Sequence, residues 1–218
     1  QPRRNRNRIP GLWDEPKRRL VLVRDRFGVK PLYYARVGDE LYFASEIKAL
    51  LPFLPEVSTD RKALAEYFTF QFTIGSETLF AGVHQLLPGQ MLVVEGGRTD
   101  LKRYWDVHYD MDHEHNHRYF HRELRERLDD SVEVHLRSDV AVGSYLSGGI
   151  DSSLIAMLAQ RHDSRHRDAF HGKFTDYPGY DESPYARIVA ERSGQTLHEI
   201  DITAQDFRLD FEGFMEVK

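Results

Sequence analysis

The 218-residue chain contains no cysteine. That absence excludes a disulfide framework, a thiolate zinc site and a cysteine nucleophile, and it suits the cytoplasm, where thiols stay reduced. No apolar run approaches the roughly 18 residues that a membrane-spanning helix needs. The basic start Gln1-Pro2-Arg3-Arg4-Asn5-Arg6 is not followed by a signal-peptide apolar stretch. A basic excess is missing too: 30 Lys and Arg stand against 35 Asp and Glu, a formal charge of −5. Such a balance leaves no electrostatic footprint for nucleic acid or an anionic membrane. The expectation is a cytoplasmic protein with neither of those partners.

What is present describes an ordinary folded chain. Hydrophobic residues make up 40% and charged residues 30%, with 13 Phe and 11 Tyr, enough to bury a core. At about 150 residues per domain the length allows one large domain or two small ones. From Arg19 to Ser45, β-branched and aromatic stretches (Leu20–Val23, Leu32–Ala35, Leu41–Ala44) alternate with turns at Phe27–Pro31 and Gly38-Asp39. This spacing predicts an antiparallel meander. Ser45 to Leu51 reads as a short helix stopped by Pro52, and Asp60 caps a second helix through Leu64, Tyr67 and Phe68. A strand is expected from Gln90 to Val94.

The polar stretch that follows Asp106 and runs to His117 has no apolar periodicity and reads as a linker. It divides the chain into residues 1–106, a linker at 107–117, and residues 118–218. Past it, Phe120, Leu124, Leu128, Val132 and Leu136 recur every fourth residue, which predicts a long amphipathic helix. Then strand and helix alternate: a buried strand over Val140–Leu146, a helix over Ser152–Gln160, a strand over Ala169–Phe174, a helix over Pro184–Arg192 closed by Gly194, and a strand over Thr196–Ile202. That order predicts an α/β unit, a parallel sheet with right-handed crossovers and helices on both faces. The residues before it make an α+β unit.

The stretch richest in chemistry is Tyr145-Leu146-Ser147-Gly148-Gly149-Ile150-Asp151-Ser152-Ser153, where a strand hands over to a helix. Two glycines let the backbone turn sharply, and the first helical N–H groups aim into the turn with the positive end of the helix dipole. Hydroxyls of Ser147, Ser152 and Ser153 suit phosphate oxygens, so a polyphosphate is the natural guest. Asp151 would repel phosphates unless a divalent cation bridged them, which predicts Mg²⁺ with the nucleotide. Neither the Gly-Lys-Ser/Thr of a P-loop nor GxGxxG is present. On the residues alone, a tight strand-to-helix turn with serine caps stays an open alternative.

Ser147-Gly148-Gly149-Ile150-Asp151-Ser152 resembles the pyrophosphate loop of ATP-pyrophosphatases, and its surroundings resemble the glutamine-hydrolysing asparagine synthetase family. Carrying that resemblance are Arg24–Tyr34, Leu41–Leu50, Leu87-Pro88-Gly89, Arg103-Tyr104-Trp105, Leu136–Gly143 and Tyr180-Asp181-Glu182-Ser183, all in the family's order. It implies the later part of an N-terminal-nucleophile glutaminase domain followed by the first part of a parallel-sheet ATP-pyrophosphatase domain. It also implies a two-site ligase. Glutamine is hydrolysed to ammonia at one site, and aspartate is adenylated by ATP at the other, giving asparagine, AMP and pyrophosphate through β-aspartyl-AMP.

By position, Leu146, Ser147, Gly148, Gly149, Asp151 and Ser152 would hold ATP, with Asp151 on Mg²⁺. Gly172 would join them from Phe170-His171-Gly172-Lys173-Phe174, where a Ser-Ile-Gly-like run is commoner in the family. The family's glutaminase nucleophile is an N-terminal Cys, which this chain lacks, so no catalytic residue is assigned. The chain is therefore expected to be a central fragment, inactive alone and poorly soluble, of a protein that the resemblance allows to be a homodimer. Relatives that amidate another acceptor, and a non-catalytic nucleotide- or partner-binding role, are the competing expectations.

Three weaker features are read as structural. The crowd of His and acidic residues from His108 to His121 is taken as a solvated linker with no metal. Tyr67, Phe68, Phe70 and Phe72 are expected in core or interdomain packing, and Arg24, Asp25 and Arg26 in a structural ion pair.

Overall fold

In the computed structural model, residues 11–163, 166–174 and 179–206 are described here; the arginine-rich start and the last residues lie outside them. The chain divides into two compact units, 1–110 and 111–218.

The first unit is built from two antiparallel sheets. Strands β1 (Gly11–Asp14), β2 (Arg19–Val23), β6 (Gln90–Glu95) and β7 (Arg98–Arg103) form one, in that order. Strands β3 (Tyr33–Val37), β4 (Glu40–Ala44) and β5 (Val83–Gln85) form the other, with β3 central. The expected single meander is thus corrected: β3 and β4 form the hairpin, but β2 pairs with β6, Leu22 opposite Leu92. Period-2 alternation sets which face a residue takes and is silent about its partner strand. That alternation sends Leu20, Leu22 and Leu92 into one cluster with Leu32, Tyr34, Leu41 and Leu86. Val21, Met91 and Val93 go to the opposite face, where Arg19, Glu95, Arg98, Asp100 and Lys102 line an open depression.

The second face of the smaller sheet is closed by local turns. Ala35 and Val83 pack with Leu50, Ile47 and Leu54. Within residues 45–53 lie two 3₁₀ turns, Ile47–Ala49 and Leu51–Phe53, in place of the expected single short helix. Pro52 sits at the start of the second turn, where its missing N–H costs nothing. Helix α1 (Arg61–Phe70) begins as read, with the Asp60 carboxylate accepting the Ala63 N–H at 2.9 Å. The aromatic residues at its end do not enter the core of this unit: Tyr67, Phe68, Phe70 and Phe72 are all exposed.

The second unit opens with α2 (His117–His135), whose Asn116 cap accepts N–H groups of Arg118 and Tyr119. Leu128, Val132 and Leu136 pack on Leu158 and Ala159 of α3 (Ile150–His162), while Phe120 and Leu124 stay exposed. Strands β8 (Ser144–Tyr145), β9 (Asp168–Lys173) and β10 (Thr196–Asp201) make the predicted parallel sheet, in the order β10-β9-β8. Helix α4 (Ser183–Ser193) joins β9 to β10 and ends at Gly194 in the left-handed region, φ +64°.

Two readings are corrected here. The strand expected over Val140–Leu146 has only two residues in the sheet, and Val140 is exposed. Among the described residues, helices do not cover both faces. Crossovers that both advance in one direction with one hand put their helices on the same side, and α3 does pack against α4. Leu146, Ala169, Ala186 and Ala190 form the core beneath them. On the opposite face Tyr145 (89% exposed) and Ile200 (58%) are open.

Candidate functional site

The junction of β8 and α3 carries the glycine-serine segment. Leu146 is fully buried, and its N–H donates to the Phe170 carbonyl at 2.9 Å, so the strand side of the turn is anchored on β9. Gly148 then takes φ +86°, a conformation that costs a residue with a side chain about 1–2 kcal/mol. Space also demands glycine: a Cβ there would stand 2.8 Å from the Glu182 carbonyl oxygen and 3.2 Å from the Ala186 nitrogen. The loop therefore rests against the first turn of α4.

Beyond it, Gly149 caps α3, and hydroxyls close the turn on itself. Ser152 and Ser153 donate to the Gly149 carbonyl at 3.1 and 2.7 Å. With its proton so used, Ser152 accepts from Ser147 at 3.0 Å, and Ser147 in turn accepts the Gly149 N–H at 3.3 Å. The ring rigidifies the turn.

The first intrahelical bond of α3 is Ser153 N–H to the Gly149 carbonyl at 3.1 Å. Amides before it lack an intrahelical acceptor by helix geometry, and they carry the positive end of the dipole. Asp151 lies exposed in that first turn. The structure thus brings together Leu146, Ser147, Gly148, Gly149, Asp151 and Ser152. Continuing the register from Tyr145 opposite Phe170 sets Gly172 level with Ser147 on β9. A Cβ on Gly172 would fall 2.6 Å from the Ile202 side chain. Among the described residues, no three His, Asp or Glu side chains gather as a metal cage.

One neighbour went unnoticed in the sequence. His171 is 5% exposed, and its Nδ1 lies 2.8 Å from the Leu146 carbonyl oxygen. The one signal available was its departure from a Ser-Ile-Gly-like run.

In the first unit, the segment Arg24–Pro31 is held by charge on backbone, which corrects the expected ion pair. The Arg24 guanidinium donates to the carbonyls of Leu86 (2.6 Å), Lys30 (3.2 Å) and Gly28 (3.2 Å). Asp25 accepts N–H groups of Phe27, Val29 and Lys30 at 3.0–3.2 Å. Arg26 lies over the Trp105 ring, 5.8 Å from its centre. These contacts shape a turn and offer no nucleophile.

The asparagine synthase family model matches residues 123–217, and a glutamine amidotransferase domain model matches residues 10–105. An asparagine synthetase [glutamine-hydrolyzing] of Bacillus subtilis is 39% identical over 189 residues, covering 85% of this chain and 28% of that protein. This chain resembles the glutamine-hydrolysing asparagine synthetases over parts of both of their domains. A second B. subtilis asparagine synthetase is 31% identical across 89% of the chain and 34% of its own length. The amidase chyE of Penicillium rubens is 34% identical across 92% of the chain and 32% of its own length. The chain spans about a third or less of these relatives. Against the asparagine synthetase family, the β8–α3 junction falls within the asparagine synthase match and the Arg24–Pro31 turn within the amidotransferase match.

Proposed function

We propose that residues 118–218 carry the phosphate-binding part of an ATP-dependent amidoligase, joined through a linker at 107–117 to part of a glutaminase domain. The observation that carries this reading is the β8–α3 junction. A buried strand end, a positive-φ glycine, a serine ring and the first amides of α3 converge beside an exposed carboxylate.

The donor set fits a polyphosphate with its cation. Amides of Ile150, Asp151 and Ser152 would bind phosphate oxygens, and Ser147 and Ser152 would exchange their mutual hydrogen bond for phosphate contacts. Asp151 would hold Mg²⁺ as one carboxylate ligand beside the phosphates; among the described residues no cage of His, Asp or Glu gathers. The bound cation supplies charge neutralisation on the leaving pyrophosphate. The amides, fixed beforehand, orient it and stabilise the charge that develops. In the full-length relatives' chemistry this step would adenylate the aspartate side chain, and ammonia from glutamine would displace AMP. Within that scheme the residues of the β8–α3 junction serve the ATP side.

The likeness to an amidase at 34% identity supports a second reading, the same loop serving another acceptor. Both readings share one test. Calorimetric titration of the full chain with ATP should show Mg²⁺-dependent binding that Asp151→Ala abolishes; an unchanged affinity in that variant would sink the assignment. Pyrophosphate release dependent on aspartate and ammonia would then select the first acceptor.

A further inference from the structure

We infer that His171 is a positioning residue for the phosphate loop, acting through the carbonyl of Leu146; the inference deepens the nucleotide reading and rests on it. Leu146 is the last residue before the turn and is pinned to β9 from both sides. Its N–H goes to the Phe170 carbonyl and its carbonyl oxygen receives His171 Nδ1 at 2.8 Å.

A carbonyl oxygen only accepts, so Nδ1 carries the ring proton. Nε2 is also buried and has no hydrogen-bond partner among the described residues. A proton there would make a second buried donor with nothing to receive it. The geometry therefore fits the Nδ1–H tautomer, and its donor is directed at one place. In a parallel ladder, the carbonyl at that place ordinarily receives a main-chain N–H from the next strand. Here a side chain does so where β8 ends, and the chain leaves the sheet for the loop.

The consequence is geometric. Ser147 follows directly, and its hydroxyl belongs to the ring that sets Gly149 and Ser152. Rotation of the Leu146–Ser147 peptide would swing that hydroxyl and Gly148 away from the Glu182 carbonyl against which the loop rests. His171 holds the peptide still. It touches no reacting atom in this scheme and acts only through Leu146.

The test compares His171→Asn, whose side-chain amide nitrogen occupies the place of Nδ1, with His171→Leu, which keeps bulk and loses the donor. In the full chain, Leu should shift the amide resonances of Ser147, Gly148 and Gly149 and weaken Mg²⁺-ATP binding at least tenfold. Asn should restore the resonances and bring affinity within about threefold of wild type. Nitrogen-15 spectra of the wild-type ring should show Nδ1 protonated and Nε2 bare, a readout that needs neither variant to fold. An Nε2–H tautomer, or loop resonances and affinity unmoved in the Leu variant, would overturn the inference. Wild-type chain that shows the expected ring and loop spectra but binds no ATP would instead defeat the nucleotide reading and leave the tether standing.

Discussion

The Asp25 carboxylate accepts the Val29 N–H at 3.0 Å, and with the amides of Phe27 and Lys30 it folds Arg24–Pro31 around a single negative charge. Burial pushes this carboxyl up, but the amides of Val29, Lys30, Phe27 and Gly28 outweigh it and hold the group below the usual aspartate range. A carboxyl depressed in the folded state contributes stability above its unfolded value, and that contribution is lost as pH falls through the folded value. Both tryptophans, Trp13 and Trp105, lie in the first unit, so their fluorescence isolates its unfolding. The fluorescence-detected urea midpoint should decline on acidification below the ordinary aspartate range. Asp25→Ala should lower stability by about 2 kcal/mol near neutrality and flatten that acid limb. A variant with the wild-type pH profile would show that the amides do not depend on the charge.

Gly148 and Gly38 separate backbone strain from steric overlap. Both have positive φ, +86° and +60°, but a Cβ on Gly38 meets nothing within 4 Å, while one on Gly148 would stand 2.8 Å from the Glu182 carbonyl. Gly38→Ala should cost only the conformational penalty, about 1–2 kcal/mol. Gly148→Ala should cost more than that, because the contact is backbone and cannot swing aside, and it should also weaken ATP binding. Thermal unfolding followed by circular dichroism ranks the two; equal losses would mean that the loop is free to lift off α4.

Legibility in the sequence followed how local the deciding interaction is. The Asp60 cap, the Gly194 stop and the strand-to-helix turn at Ser147–Ser152 are each set within a few residues, and the structure has them where the sequence put them. The pairing of β2 with β6 joins Leu22 to Leu92, and no periodicity specifies a partner that far along the chain. The apolar stretch at Val140 suggested a buried strand, yet only Ser144 and Tyr145 pair with β9. His171 was invisible as a loop neighbour because its partner is the Leu146 carbonyl, a main-chain atom that every residue has. The exposed aromatics Phe68 and Phe72 show the same limit, since hydrophobicity alone does not assign a face.

The open face of the parallel sheet makes a dye-binding prediction. Tyr145, Phe170 and Ile200 project from the side opposite the helices, with the Phe170 and His198 rings stacked at 5.1 Å. Parallel sheets are ordinarily covered on both faces, so this apolar surface should take up a hydrophobic dye such as ANS while the chain is folded. Phe170→Ser with Ile200→Ser should cut the fluorescence at least by half with little loss of helix signal. Enhancement that survives both substitutions would place the dye site elsewhere, for instance on Phe68 and Phe72.

Arg167 connects the far end of α3 to the sheet. It is 6% exposed, its guanidinium lies 2.6 Å from an Asp163 carboxylate oxygen, and it donates to the main-chain carbonyls of Ala159 (3.1 Å) and Asp163 (2.8 Å). A cation at the last carbonyls of a helix complements the negative end of the dipole, and here it adds a second donor to the Ala159 carbonyl, which already accepts the Asp163 N–H at 3.1 Å. Arg167→Met removes the charge but keeps much of the bulk, leaving a partly buried carboxylate and the carbonyls without this donor. The expected cost is about 1–3 kcal/mol, that of the lost charge-assisted hydrogen bonds. Because α2, α3 and α4 make up most of the helix among the described residues, the loss should appear in the 222 nm signal. The positive end of α3 lies a whole helix away, so at temperatures where the variant remains folded its Mg²⁺-ATP affinity should match wild type. A variant that unfolds as wild type would mean that the Asp163 pair contributes no net stability, the desolvation of both charges cancelling their attraction.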